Sequence, residues 1–94
     1  MAGDEYVCVE LFGVWRMVAG KSEIVLPWRA GLTLDGLARL LFMACPALEH
    51  GRDGAPAVGG AYVFNLNGRD FVRNPAQPIA AGDRLLLLSA DAGG

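Results

Sequence analysis

The sequence predicts an α+β domain in which a mixed sheet of about five strands packs on one main helix. Three observations carry this expectation. Short runs with strand period or composition occupy both halves of the chain; a leucine stripe at helical spacing lies between them; and the last run is apolar on both faces, which suits the middle of a sheet.

The first run, Tyr6 to Leu11, alternates Val7, Val9 and Leu11 with Cys8, Glu10 and then Phe12, the period of a half-buried strand. A turn around Ala19-Gly20-Lys21-Ser22 leads to a second strand, Glu23 to Trp28, paired back on the first. Pro27 is tolerated there only near an edge or an end. Thr33 then stands before Leu34, Leu37, Leu40, Leu41 and Ala44, so its hydroxyl can cap a helix whose apolar face these residues form; Pro46 closes it. Gly36 in the first turn costs about 1 kcal/mol relative to alanine, so packing on a sheet must supply most of the helix's stability.

Residues 49–60 carry glycines and a proline without period and read as a mobile surface loop. Tyr62 to Leu66 resumes a strand, Asn67-Gly68 is a tight-turn signal because both residues accept positive φ, and Arg69 to Val72 returns as the hairpin partner. Pro75 to Pro78 is irregular and Ala81-Gly82-Asp83 is a turn into the final strand, Arg84 to Leu88. The simplest fold for this order is a β-grasp, one domain over residues 1–94 with residues 89–94 as a flexible tail.

Composition narrows the function. Net charge is -2 and the hydrophobic fraction 53%, which argues against global disorder and against a broad basic field for nucleic acid. No apolar stretch approaches the ~20 residues of a membrane span, and the acidic start Asp4-Glu5 is unlike a signal peptide, so a cytoplasmic protein is expected. Cys8 and Cys45 form no Cys-x-x-Cys and read as buried free thiols. His50 has no second ligand near it in sequence. The arginines are scattered, and paired catalytic carboxylates, a phosphate-binding glycine loop and a nucleophile-base set are missing as recognisable arrangements, so the chain is not expected to be an autonomous enzyme.

Several stretches together resemble the MoaD/ThiS family of ubiquitin-like sulfur carriers, the MoaD branch in particular. They are Val9-Glu10-Leu11-Phe12-Gly13 followed by Arg16 and Ala19-Gly20; Leu32-Thr33-Leu34 with Leu37 to Leu41; Asn67-Gly68; Pro78-Ile79 with Gly82-Asp83-Arg84-Leu85; and the ending Gly93-Gly94. The loop over residues 49–60 is longer than a minimal ThiS-like carrier needs, and Trp15 and Trp28 match no family role.

The resemblance implies that a ubiquitin-activating-type adenylyltransferase uses ATP to adenylate the Gly94 carboxylate. Sulfur from a persulfide donor then displaces AMP and leaves a thiocarboxylate. The carrier itself binds no cofactor or metal. Its acceptor is expected to be the molybdopterin synthase large subunit, with thiazole, cysteine or other sulfur-containing products as alternative pathways. A free carboxylate, ionised above a pKa of about 3.3–3.7, resists nucleophiles and has to be activated in this way.

The residues themselves suit the role. Gly93 and Gly94 lack a Cβ and pass a narrow channel, and the segment from Ser89 onward reaches roughly 20 Å when extended. One sheet face is left open by a single helix, so Phe12, Leu86 and Leu88 are candidates for partner docking, with Asp91 meeting basic groups near the partner's active site. A ubiquitin-like modifier joined to target lysines through Gly94, or a β-grasp interaction module with an idle tail, are the competing readings.

Overall fold

The computed structural model describes residues 5–48 and 62–89. The loop expected over residues 49–60, with His50, and the expected tail residues Asp91, Gly93 and Gly94 lie outside the described residues. Within them the elements run β1 (Tyr6–Leu11), α1 (Val14–Ala19), β2 (Glu23–Pro27), α2 (Leu34–Ala44), β3 (Tyr62–Leu66), β4 (Asp70–Val72) and β5 (Arg84–Ser89).

The strands form a five-stranded sheet in the order β2-β1-β5-β3-β4. β1 and β5 are parallel, and every other neighbouring pair is antiparallel. β5 therefore has a strand on each side, as its leucine run predicts. A mixed five-stranded sheet with one main helix on one face is the expected β-grasp.

Alternation sorts the strands into two faces. Val7, Val9 and Leu11 of β1, Ile24 and Leu26 of β2, Phe64 of β3, Val72 of β4, and Leu85 and Leu87 of β5 point inward and are buried. They meet Leu34, Leu37, Ala38, Leu41 and Phe42 of α2 in one core. The helix stripe thus differs from the leucine count: Leu40 is only partly buried and Ala44 is exposed, while Ala38 and Phe42 are enclosed. A 3.6-residue turn carries the buried stripe through Leu34, Ala38, Leu41, Phe42 and Cys45, so the short Ala38 faces the sheet although leucine is the stronger hydrophobic signal. Thr33 caps α2 as expected, its Oγ1 accepting from the Gly36 N–H at 3.3 Å. Beyond α2 a 3-10 turn over residues 46–48 sends Leu48 fully into the core.

The connection from β1 to β2 is more than a turn. Val14–Ala19 is a one-and-a-half-turn helix, ended by Gly20 at φ 74 in the left-handed region that glycine enters without steric cost. Its Trp15 is buried in the core, whereas Val14, Met17 and Val18 are exposed. Trp28 fastens the next connection by donating from Nε1 to the Ile79 carbonyl at 2.6 Å.

One end of the sheet is tied by a side-chain clasp. Asn67, at φ 57, accepts from the Arg84 N–H at 2.9 Å and donates through Nδ2 to Asp83 Oδ1 at 3.1 Å. The other Asp83 oxygen accepts from the Ala80 N–H at 2.8 Å. The Asn67-Gly68 turn and the Gly82-Asp83 turn therefore hold each other, which sets where β5 begins and which of its leucines face inward. The opposite end of β5, at Ser89, is the end from which the chain continues to residues 90–94.

Candidate functional site

The sheet face not covered by α2 carries the residues of opposite alternation. On β5 these are Arg84, Leu86 and Leu88; Leu86 and Leu88 are half-buried, while Leu85 and Leu87 are 0% exposed. Phe12, one step beyond β1, is also half-buried, and its backbone N–H donates to the Leu87 carbonyl at 3.1 Å. The structure therefore places Phe12, Leu86 and Leu88 toward the Ser89 end of β5. Gly93, Gly94 and Asp91, the rest of the expected site, lie outside the described residues.

Cross-strand register extends this face over the whole sheet. Phe71 of β4 stands opposite Asn65 of β3, Asn65 opposite Leu86 of β5, Leu86 opposite Glu10 of β1, and Glu10 opposite Glu23 of β2. Directly opposed residues share a face with their Cβ atoms about 5 Å apart, so these five side chains form one row. Phe71 is 65% exposed, an aromatic ring left in water. Its neighbour Asn65 is 7% exposed and the sole buried polar residue among the described residues. Its Oδ1 is enclosed and accepts no hydrogen bond.

The other end of the row is ionic. Arg84 donates from Nη2 and Nη1 to Glu23 Oε2 at 2.9 and 3.0 Å, from Nη1 to Cys8 Sγ at 2.9 Å, and its Nε lies 3.5 Å from Glu10 Oε1. The Cys8 thiol donates to Glu23 Oε2 at 2.7 Å. Burial pushes the Cys8 thiol up, the Glu23 carboxylate that takes its hydrogen bond adds to the rise, and Arg84 works against it. Cys8 is accordingly a protonated, hydrogen-bonded thiol at neutral pH, and it is half-buried where the sequence suggested a fully buried one.

Among the described residues no group of three His, Cys, Asp or Glu could hold a metal ion, and no helix is long and apolar enough to cross a membrane. What the arrangement offers is a half-apolar, half-ionic surface on the face away from α2, with a strand end leading out of it. Asn65 and Phe71 were not singled out from the sequence. The available signal was Asn65 itself, a polar residue inside the apolar run Tyr62 to Leu66, yet alternation assigns such a residue to solvent and gives no hint of its burial.

No protein-family model and no curated protein matches the sequence. Solved structures do. SAMP1 from Haloferax volcanii superposes at a TM-score of 0.79 with 26% identity, covering 95% of this chain and 99% of that one. SAMP1 from Methanosarcina acetivorans, a small archaeal modifier protein, gives 0.73 at 22% identity, with 96% and 97% covered. A Pyrococcus furiosus protein described as molybdopterin converting factor, subunit 1, gives 0.71 at 16% identity, with 92% and 98% covered. These likenesses run nearly end to end in both directions, through the same sheet and helix that the residues above build. The chain is a β-grasp protein with the ubiquitin-like fold of the MoaD/ThiS type.

Proposed function

We propose that this protein is a sulfur carrier whose Gly94 carboxylate is adenylated and then converted to a thiocarboxylate for delivery to a cofactor-building enzyme, with molybdopterin synthesis as the pathway. The observation that carries the reading is the placement of β5. This central strand holds two leucines in the core, presents Leu86 and Leu88 outward, and ends at Ser89, five residues before Gly94 in the sequence. A partner that docks on the open face therefore lies beside the root of the segment it has to modify.

The chemistry proceeds in three displacements. A Gly94 carboxylate oxygen attacks the α-phosphorus of ATP in the partner's site and pyrophosphate leaves. The terminal sulfur of a persulfide donor then attacks the acyl carbon and AMP leaves, giving an acyl disulfide. A partner thiol attacks the donor's own sulfur, forms a disulfide with it, and the Gly94 thiocarboxylate departs. ATP, the persulfide, the thiol and the catalytic groups belong to partners; this chain supplies the carboxylate, the narrow glycine ending and the docking face, with Phe12, Leu86, Leu88 and Asp91 as its contact residues. In the molybdopterin case the acceptor is the synthase large subunit, and the protein works in the cytoplasm.

A second reading, conjugation of Gly94 to lysines of other proteins, is favoured by the likeness to SAMP1, a protein named as a modifier. The two share adenylation and part afterwards. Intact mass spectrometry after incubation with ATP, a sulfur donor and a ubiquitin-activating-type adenylyltransferase separates them. The carrier gains about 16 Da, one oxygen replaced by sulfur, and loses that gain when Gly94 is deleted. Lysine-linked conjugates without the gain establish the modifier, and neither product refutes both.

A further inference from the structure

Two features of the open face are left unresolved by the folded chain. Asn65 is 7% exposed, yet its Oδ1 accepts nothing, so that oxygen has given up water without replacement. Glu10 and Glu23 stand directly opposite each other, an unfavourable pairing of like charges, with one guanidinium between them. Arg84 serves Glu23 at 2.9 Å and spends a donor on Cys8, leaving Glu10 the longer 3.5 Å contact.

Both features lie in one straight row, Phe71-Asn65-Leu86-Glu10-Glu23, which crosses all five strands. Neighbouring strands are about 4.8 Å apart, so the row is roughly 19 Å long, the scale of one docking segment. Its apolar end asks for an apolar side chain, its middle for a hydrogen-bond donor, and its acidic end for a cation.

We propose that this row is the specificity strip by which the adenylating partner recognises the carrier. The partner lays an apolar side chain against Phe71 and Leu86, donates a hydrogen bond to the Asn65 carboxamide, and sets an arginine or lysine beside Glu10. The inference rests on the adenylation reading above and adds which residues choose the partner. Phe71 is on the edge strand and mostly exposed, so it can turn aside, and rotation about χ2 of Asn65 exchanges its oxygen and nitrogen ends without backbone movement. A polyanion is repelled by the two carboxylates, and a neutral apolar partner leaves Asn65 and Glu10 as they are.

The test compares wild type with Asn65→Leu, which has similar volume and no polar atom, and Glu10→Gln. Readouts are the midpoint of thermal unfolding and the KM for the carrier in ATP-pyrophosphate exchange by a purified ubiquitin-activating-type adenylyltransferase. Asn65→Leu is expected to unfold at a higher temperature and to raise KM about tenfold with kcat little changed, the signature of lost binding. Asn65→Ala, which cannot overpack the site, repeats the KM reading. Glu10→Gln raises KM at low salt and loses most of that effect at high salt. Met43→Ala, on the exposed side of α2, changes neither.

An Asn65→Leu protein no more stable than wild type shows that the carboxamide is satisfied within the folded chain and overturns the proposal. Higher stability with an unchanged KM also overturns it, while leaving adenylation intact. No exchange with wild type refutes adenylation, and the choice of partner with it.

Discussion

Leu86 and Leu87 are neighbours in sequence with the same side chain, and the fold assigns them to opposite jobs. Leu87 is 0% exposed and stands opposite Leu11 and Phe64, each itself 1% exposed. Both flanking side chains sit on strands fixed by their own ladders, so the space left by Leu87→Ala collapses little. Leucine-to-alanine changes in cores cost about 2–5 kcal/mol, and a site held by two rigid neighbours belongs in the middle of that range, about 3–4 kcal/mol. Leu86→Ala removes the same atoms from a half-buried position. At about 0.8 kcal/mol per fully buried CH2 group, half-burial leaves a loss of about 1 kcal/mol. For a domain of this size 1 kcal/mol moves the melting temperature by about 4–8 °C, so the two variants should be separated by roughly 10 °C or more.

Far-UV circular dichroism on heating, with urea titration for the free energies, measures the difference. Adenylation then runs the other way: Leu87→Ala, assayed where it is folded, keeps the KM of wild type, while Leu86→Ala raises it. Equal destabilisation of the two variants, or a larger loss for Leu86→Ala, refutes the assignment of faces. With it falls the docking surface.

Two further outcomes follow from named contacts. Thr33→Ala removes the acceptor of the Gly36 N–H, and the 3.3 Å separation places its cost at or below about 1 kcal/mol; Thr33→Ser recovers most of it in urea titration. Cys8 provides a pH dependence. Its folded-state pKa lies above its unfolded value, so the protonated thiol stabilises the fold below about pH 8.5, and that contribution is lost as pH rises through the folded value. Iodoacetamide should therefore modify Cys8 at a higher pH in the folded protein than in urea. A folded-state midpoint at or below the unfolded one contradicts the hydrogen bond to Glu23, and a Cys8→Ser variant loses this part of the pH dependence.

Strand residues reveal themselves when one face is buried and the other wet, because period two then appears in the side chains. β1 and β2 show it, and the pairing of Val7 with Leu26 and Val9 with Ile24 puts the two inward sets together. β5 shows its central place for the opposite reason, with leucines on both faces. α1 gave no such signal. Its six residues make too few turns for a helical period, and Val14, Trp15 and Val18 favour extended backbone by composition. The helix exists because Trp15 is pulled into the core and Gly20 ends the turn in a conformation open to glycine. A glycine placed on each side of a short apolar run was the clue on offer.

The helix stripe and the row on the open face show the same division more sharply. By itself the sequence determined the order of the main elements, the Thr33 cap, the Asn67-Gly68 turn and the inward sets of β1 and β2, since these depend on neighbours a few residues away. Tertiary structure alone decided that Ala38 and Phe42 face the sheet in place of Leu40 and Ala44, that Arg84 lies across Glu10, Glu23 and Cys8, and that Asn65 is enclosed beside Phe71. Those contacts join residues up to 76 positions apart. Their partners are set by strand register, which comes into being only when five strands align in one sheet.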